Sequence, residues 1–248
     1  MMGRSIPSPG QWRAAALGLT VLLLVGCSSA ERVSEPPPAA VPAEEGNWEI
    51  LFDGRTFEGW RGFGRSDVPE GWAIAEDALH FTSADGDINL GLITVDRFAD
   101  FDLRFEWRIA PGGNSGVFFR VVENGREAIW HTGPEYQVVD NTGHPDGENP
   151  LTSAGSNYAL HGPQENFMRP VGEYNEGRIR VEGARVEHWL NGQKVVEYDL
   201  WDEDWEAKLV GTAFARFPEY GRSRSGHIAL QEGGPVWYRN IRVLRLDR

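Results

Sequence analysis

The sequence predicts an all-β protein: two antiparallel sheets packed face to face as a sandwich, with one short helix. Three observations carry this. Short runs of alternating apolar and polar residues, bounded by Gly, Pro, Asn and Asp, recur from about Trp48 onward. Two of the connections between runs are explicit hairpin turns. Tryptophan and glycine are both abundant, at 10 and 30 in 248 residues, which suits a curved sandwich with glycines at bends and aromatics in the core or on a sugar-facing surface. Strands do not alternate with long helices, which argues against a parallel α/β sheet.

The first segment stands apart from the sandwich. Arg4 and Arg13 precede the apolar run "AAALGLTVLLLVG", residues 14–26, which is short for a bilayer span and suits the core of a signal peptide. It ends at "LVGCSS", which resembles the lipobox of bacterial lipoproteins. The resemblance implies that residues 1–26 are removed as a signal peptide and that the Cys27 sulfur carries a diacylglycerol, a membrane anchor. The alternative is an ordinary secretory signal with a chance cysteine. Cys27 is the only cysteine, so no disulfide can form within the chain. Ser28 rather than Asp follows it, and similarity to sorted lipoproteins then implies the outer membrane of a bacterial envelope, facing periplasm or surface. Residues 27–46, rich in Pro, Ala and Glu, bury too little apolar surface to fold and read as an extended tether. The domain is expected over residues 47–248.

Within it, "FDLRFEWRIA" (residues 101–110) places Phe101, Leu103, Phe105, Trp107 and Ile109 on one face. "SGVFFRVV" follows after "PGGN". "GPEYQVVDN" turns Tyr136 and Val138 one way and Glu135, Gln137 and Val139 the other. Residues 141–171 show little periodicity, and a long loop of this kind is usually functional or disordered. "GRIRVEGARVEHWLNGQKVVEYD" holds the two hairpins, one at residues 182–184 and one at Asn191-Gly192. Helical spacing appears only over residues 202–214. "GHIALQE" and "VWYRNIRVLRL" are the last strands.

The net charge of −13 argues against nucleic acid or other polyanions as partners, because no basic cluster offsets it. No P-loop, dinucleotide fingerprint, HExxH or GxSxG motif is present.

"LFDGRTFEGWRGFG" (residues 51–64), "GNSGVFFR", "GPEYQVVDN", "RPVGEYNEGRIRVEGARVEHWLNGQKVVEYD", "GHIALQEGG" and "VWYRNIRVL" resemble, in order, the sequence blocks of the 3-keto-disaccharide hydrolase family. The resemblance covers about Asn47 to the C terminus. It implies a concanavalin A-like jelly roll and hydrolysis of glycosides already oxidised to a ketone at C3. Such a ketone acidifies the C2–H. A base removes that proton, the enolate expels the C1 substituent, and water adds back. The site then needs a base, an acid for the leaving oxygen, and donors or a cation for the enolate.

Against that requirement, Glu135 is the leading general base and Gln137 beside it a hydroxyl ligand; the alternative is a solvated outer face. His227 and Gln231 share a face with Ala229 and are candidates for proton transfer and substrate binding. Asp140 is a second carboxylate at the strand end, or part of a turn. Arg120 either pairs with Glu135 and binds substrate or makes a plain cross-strand ion pair. Trp130, with His131, offers a stacking platform for a sugar ring or is an interface-packed aromatic, and Glu173, with Asn175, is a site candidate or the polar side of a strand start. Asp140, His144, Asp146 and His161 carry oxygen and nitrogen donors for a divalent metal, or are solvated loop residues. A non-catalytic, lectin-like glycan-binding lipoprotein is the alternative function. Direct hydrolysis of β-glucans is disfavoured, since the two acids of "EYQVVD" fall on opposite faces of a regular strand.

Overall fold

The structure, a computed structural model, describes residues 46–82, 91–125 and 128–246. The signal segment, Cys27 and the tether up to residue 45 lie outside the described residues. Among those described, the strands in chain order are β1 (Glu49–Ile50), β2 (Trp60–Gly62), β3 (Trp72–Ala75), β4 (Ala78–Phe81), β5 (Leu92–Thr94), β6 (Phe101–Ile109), β7 (Asn114–Val121), β8 (Glu135–Val139), β9 (Asn175–Glu182), β10 (Arg185–Leu190), β11 (Gln193–Asp199), β12 (His227–Leu230) and β13 (Val236–Arg245). They form two antiparallel sheets. The first is ordered β11-β10-β9-β6-β13-β4-β3, with β1 also paired to β13; the second is ordered β2-β5-β12-β7-β8. This is the predicted two-sheet jelly-roll sandwich.

The alternation read from the sequence is the packing observed. Phe101, Leu103, Phe105, Trp107 and Ile109 of β6 enter one buried core with Val117 and Phe119 of β7, Tyr136 and Val138 of β8, and Ile228 and Leu230 of β12. Each such side chain removed from water contributes about 1.5–3 kcal/mol. Hydroxyls tie the sheets together. Tyr136 donates to the Trp189 carbonyl at 3.1 Å. Ser115 Oγ and Tyr238 Oη lie 2.8 Å apart, and Ser115 Oγ also donates to the Gln231 carbonyl at 2.6 Å. At Asn191-Gly192 both residues have positive φ (51° and 81°), as a two-residue hairpin loop of this twist requires.

The helix, α1 (Glu203–Val210), is shorter than the helical spacing predicts. Asp202 caps it, accepting from Trp205 N at 2.7 Å, and the chain leaves the helix at Gly211. Thr212 then caps a separate single turn of 3-10 helix, Ala213–Arg216, accepting from Phe214 N at 3.2 Å. Ending the helix early aims Phe214 and Arg216 at the second sheet.

Two features depart from the sequence reading. The outer face of the second sheet carries its own small apolar cluster: Phe63, Ile93, Phe118, Val121, Ile129 and Ala229, with Trp130 packed against it. And β7 contains a bulge, for its register against β12 shifts between His227↔Val121 and Ala229↔Phe118. Arg120 lies in this bulge with φ +51°.

Candidate functional site

β8 lies at the edge of the second sheet, yet all five of its residues are buried. Its free edge and outer face are covered by the long connection, which is folded rather than loose. Gln137 N donates to the Ser156 carbonyl (3.0 Å), Gly155 N to the Gln137 carbonyl (2.9 Å) and Tyr158 N to the Glu135 carbonyl (3.2 Å). A short stretch of the loop thus continues the sheet, which satisfies an otherwise exposed edge. The loop also brings Tyr158 alongside Glu135.

Glu135 lies as the strand period predicts, on the outer face, with only 6 % of its surface exposed. Its carboxyl lies flat over Gly116 on the neighbouring strand: a Cβ at that position would come within 2.1 Å of Glu135 Oε1. Glu135 lines a cavity of about 300 Å³ with Asn114, Trp130, Tyr158, Phe214, Arg216 and Gln231. Burial, and then the negative charge of Asp146, push its carboxyl well above the usual carboxylate range. Asp146 is held at the edge of this group, accepting from Asn114 Nδ2 at 2.9 Å and from the Tyr158 hydroxyl at 3.3 Å. Burial, with the charges of Asp146 and Glu135, pushes the Tyr158 phenol up to about 12. A second cavity of about 280 Å³ adjoins the first and shares Trp130 and Gln231 with it. Trp130 meets His131 and Phe217 edge to face, at 4.2 and 5.2 Å between ring centroids.

Of the residues expected at a site, the structure brings together Glu135, Gln231 and Trp130. Gln137 shares their face, but its side chain is fully buried and donates to the Thr152 carbonyl at 3.1 Å, so it fastens the loop rather than meeting a ligand. Four others lie outside the cavity. Arg120 does not reach Glu135, because the bulge redirects it to the Ala99 carbonyl (2.9 Å), Asp100 Oδ1 (3.0 Å) and the Gly183 carbonyl (3.0 Å). His227 lies at the same bulge, with Nδ1 2.8 Å from the Thr94 carbonyl and Nε2 3.9 Å from Glu123, a carboxylate already paired with Arg61 at 2.6 Å. Asp140 is a turn residue. Burial alone would raise its carboxyl, but the amides of Gly112 and Thr142 (both 2.8 Å) and the Thr142 hydroxyl (2.7 Å) outweigh that and hold it below its ordinary value. Glu173 is exposed ahead of β9 in the opposite sheet, while Asn175 accepts from Arg169 N and Asn191 Nδ2, both at 2.8 Å, and so shapes that turn.

The set considered for a metal is split, with His144 Nδ1 3.8 Å from Asp146 Oδ2 and the others apart from that pair. His161 bonds Asn157 (3.0 Å) and Asp204 (3.1 Å), whereas Asp146 faces Asn114 and Tyr158. Among the described residues no three His, Cys, Asp or Glu side chains converge as a cation site. Tyr158, Arg216 and Phe214 escaped the sequence reading because they come from stretches without strand periodicity. The only available signal was an aromatic beside polar residues in "SNYALHG" and an arginine between two phenylalanines in "AFARF".

Residues 47–244 match the family described as a 3-keto-alpha-glucoside-1,2-lyase-like domain. A curated 3-keto-disaccharide hydrolase of Bacteroides thetaiotaomicron is 34% identical over 251 residues, covering 90% of this chain and 87% of that protein. A crystal structure from Parabacteroides distasonis, of a protein provisionally assigned as a glycosyl hydrolase, superposes with a TM-score of 0.75 at 31% identity, covering 81% of this chain and 94% of its own. A second structure from the same organism, with a TM-score of 0.59 at 23% identity, covers 80% and 99% and shows the shared fold. The chain belongs to the family of 3-keto-alpha-glucoside-1,2-lyase-like domains.

Proposed function

We propose that this chain, a glycoside-cleaving enzyme by its family, acts on glycosides oxidised to a ketone at C3, with Glu135 as the base that removes the C2 proton. The observation that carries the reading is the Glu135 carboxyl: buried, raised in pKa, and on the floor of a cavity that also holds a phenol and a guanidinium. A carboxylate with a raised pKa is a stronger base, and one closer to the operating pH, than a solvated one. Ordinary acetal hydrolysis instead needs a strong acid and a second carboxylate set for the anomeric carbon.

The residues divide the work as follows. Glu135 takes the C2 proton. The electron pair moves into the enolate of the C3 ketone, whose oxygen charge Arg216 and Asn114 Nδ2 balance. The C1–O bond then breaks, and the departing oxygen takes the Tyr158 proton; a phenol at about 12 suits an alkoxide leaving group. Water adds to C1 and returns its proton to the Tyr158 oxygen, while Glu135 gives its proton back to C2. The sum is hydrolysis. Gln231 and Trp130 hold the ring in place.

The N-terminal resemblance supports a further part of the reading: the enzyme is anchored through lipid on Cys27 in the cell envelope, with the domain on a tether. Purified domain is incubated with a panel of 3-keto-glycosides and their parent glycosides, with and without chelator. Sugar release from the oxidised members alone is expected, and Glu135→Gln lowers it by about 10²–10⁴-fold. Undiminished turnover by that variant would remove Glu135 from its role, and saturable binding with no turnover would favour the lectin-like alternative.

A further inference from the structure

We propose that His161 is a positioning residue for Tyr158: it closes the short turn that carries the phenol and fastens that turn to α1, so that the two irregular segments lining the cavity keep one spacing. This rests on the reaction proposed above, in which Tyr158 is the acid for the departing oxygen.

The turn runs from Asn157 to His161. Asn157 N donates to the His161 carbonyl at 2.9 Å, and His161 N and Leu160 N donate to the Asn157 carbonyl at 3.0 and 2.9 Å. Tyr158 and Ala159 are its central residues, and both line the cavity with Glu135. Ala159 has φ +63°, at a turn position that usually takes Gly or Asn. A side chain in that conformation costs about 1–2 kcal/mol, so contacts on either side must hold the turn. One is backbone: Ala159 N donates to the Leu151 carbonyl at 2.7 Å. The other is His161. Asn157 Nδ2 lies 3.0 Å from His161 Nδ1. The amide nitrogen can only donate, so Nδ1 accepts and Nε2 of the neutral ring carries the proton. Burial favours that neutral form. Nε2 then donates to Asp204 Oδ2 at 3.1 Å.

Asp204 lies in the first turn of α1, and the single turn after that helix carries Phe214 and Arg216. The His161 ring is thus bonded to the loop through one nitrogen and to the helix through the other. Its plane is fixed as well. It stacks on buried Tyr198 at 4.6 Å and 7°, and both rings are near-parallel to Trp205 of α1, at 6.4 and 5.8 Å. Trp205 stacks in turn on Tyr220 (5.9 Å), and Tyr220 on Phe214 (4.2 Å), which reaches the cavity wall. One side chain therefore sets how far the Tyr158 phenol stands from Arg216, the group assigned to the enolate oxygen. A histidine suits this place because its two ring nitrogens meet an amide on one side and a carboxylate on the other. An apolar side chain would leave loop and helix unlinked.

The test compares two substrates across the wild type, His161→Ala, Asp204→Ala and Tyr158→Phe. Methyl 3-keto-glucoside has a methoxide leaving group that needs a proton; 4-nitrophenyl 3-keto-glucoside has a phenolate that leaves without one. His161→Ala should lower kcat for the methyl substrate about 10²-fold, the effect of an acid displaced by about 1 Å, and leave kcat for the nitrophenyl substrate within about threefold. General loss of structure would slow both substrates alike. Asp204→Ala changes a side chain that is 58% exposed, so folding is not at issue, and it should move the ratio of the two rates in the same direction. Tyr158→Phe sets the standard and should also slow the methyl substrate selectively. If Tyr158→Phe slows both substrates equally, Tyr158 is not the acid, and the positioning role falls with that reading. If Tyr158→Phe is selective while His161→Ala and Asp204→Ala slow both substrates equally or neither, the positioning role alone is overturned.

Discussion

Glu135 illustrates how a single side chain acquires chemistry from its surroundings. In an exposed strand it would be an ordinary carboxylate; here burial and the nearby Asp146 charge make the ionised form costly. The sign of the consequence is definite. As the proposed base, Glu135 must be ionised to act, so kcat/KM should rise as pH rises through its raised pKa. Asp146→Asn removes a like charge without removing volume, so the Glu135 pKa should fall and the rising limb should move to lower pH. A pH–rate profile checks this, and an unmoved limb would show that Asp146 does not act on the base. Asn at this position still accepts from Asn114 and Tyr158, which separates the charge effect from loss of the loop.

At the scale of elements, the site depends on two neighbouring strands being unlike in side-chain size. Gly116 on β7 leaves room for the Glu135 carboxyl from β8. Gly116→Ala forces an atom to within 2.1 Å of Oε1, and the carboxyl must leave the cavity floor. Activity should fall at least as far as in Glu135→Gln, with stability changed much less; measured kcat/KM and Tm together test this. The bulge in β7 acts in the opposite sense, taking a side chain out of the site. Arg120, 2 % exposed, bonds two carbonyls and the Asp100 carboxylate, and so fastens the loop before β6 to the β9–β10 hairpin. Arg120→Ala should cost about 2–4 kcal/mol of stability, because buried acceptors are left without a donor. KM for an oxidised glycoside should not change; a large rise in KM would return Arg120 to the substrate site.

On the scale of the whole molecule, the outer face of the second sheet is neither wholly solvated nor wholly core. One part is sealed by Phe63, Ile93, Phe118, Val121, Ile129 and Ala229, another is closed by the folded loop over β8, and the two cavities lie between. The proposed anchor belongs to this scale too. Cys27→Ser should move the protein from the membrane fraction to the soluble fraction of the cells that make it, with specific activity of the domain unchanged. Retention in the membrane fraction would point to an anchor other than that sulfur.

Much of this was legible in the sequence, for physical reasons that can be named. Period-two alternation fixed which face of β6, β8 and β12 is core, because a strand has only two faces and one must be apolar. Asn191-Gly192 marked a hairpin because few residues tolerate left-handed φ. The same period put Glu135 on the face away from the core and Gln231 with it. What only the tertiary structure decided were the contacts made by irregular backbone. A bulge removed Arg120 from the site, the Thr94 carbonyl held His227 away from it, backbone amides claimed Asp140, and the loop over β8 occupied Gln137. The loop delivered Tyr158 and the single turn after α1 delivered Arg216, neither of which any periodicity announces. Local sequence determines a strand's faces through sterics alone, whereas what covers a face is set by segments distant in the chain, whose positions depend on packing and hydrogen bonds formed only in the folded whole.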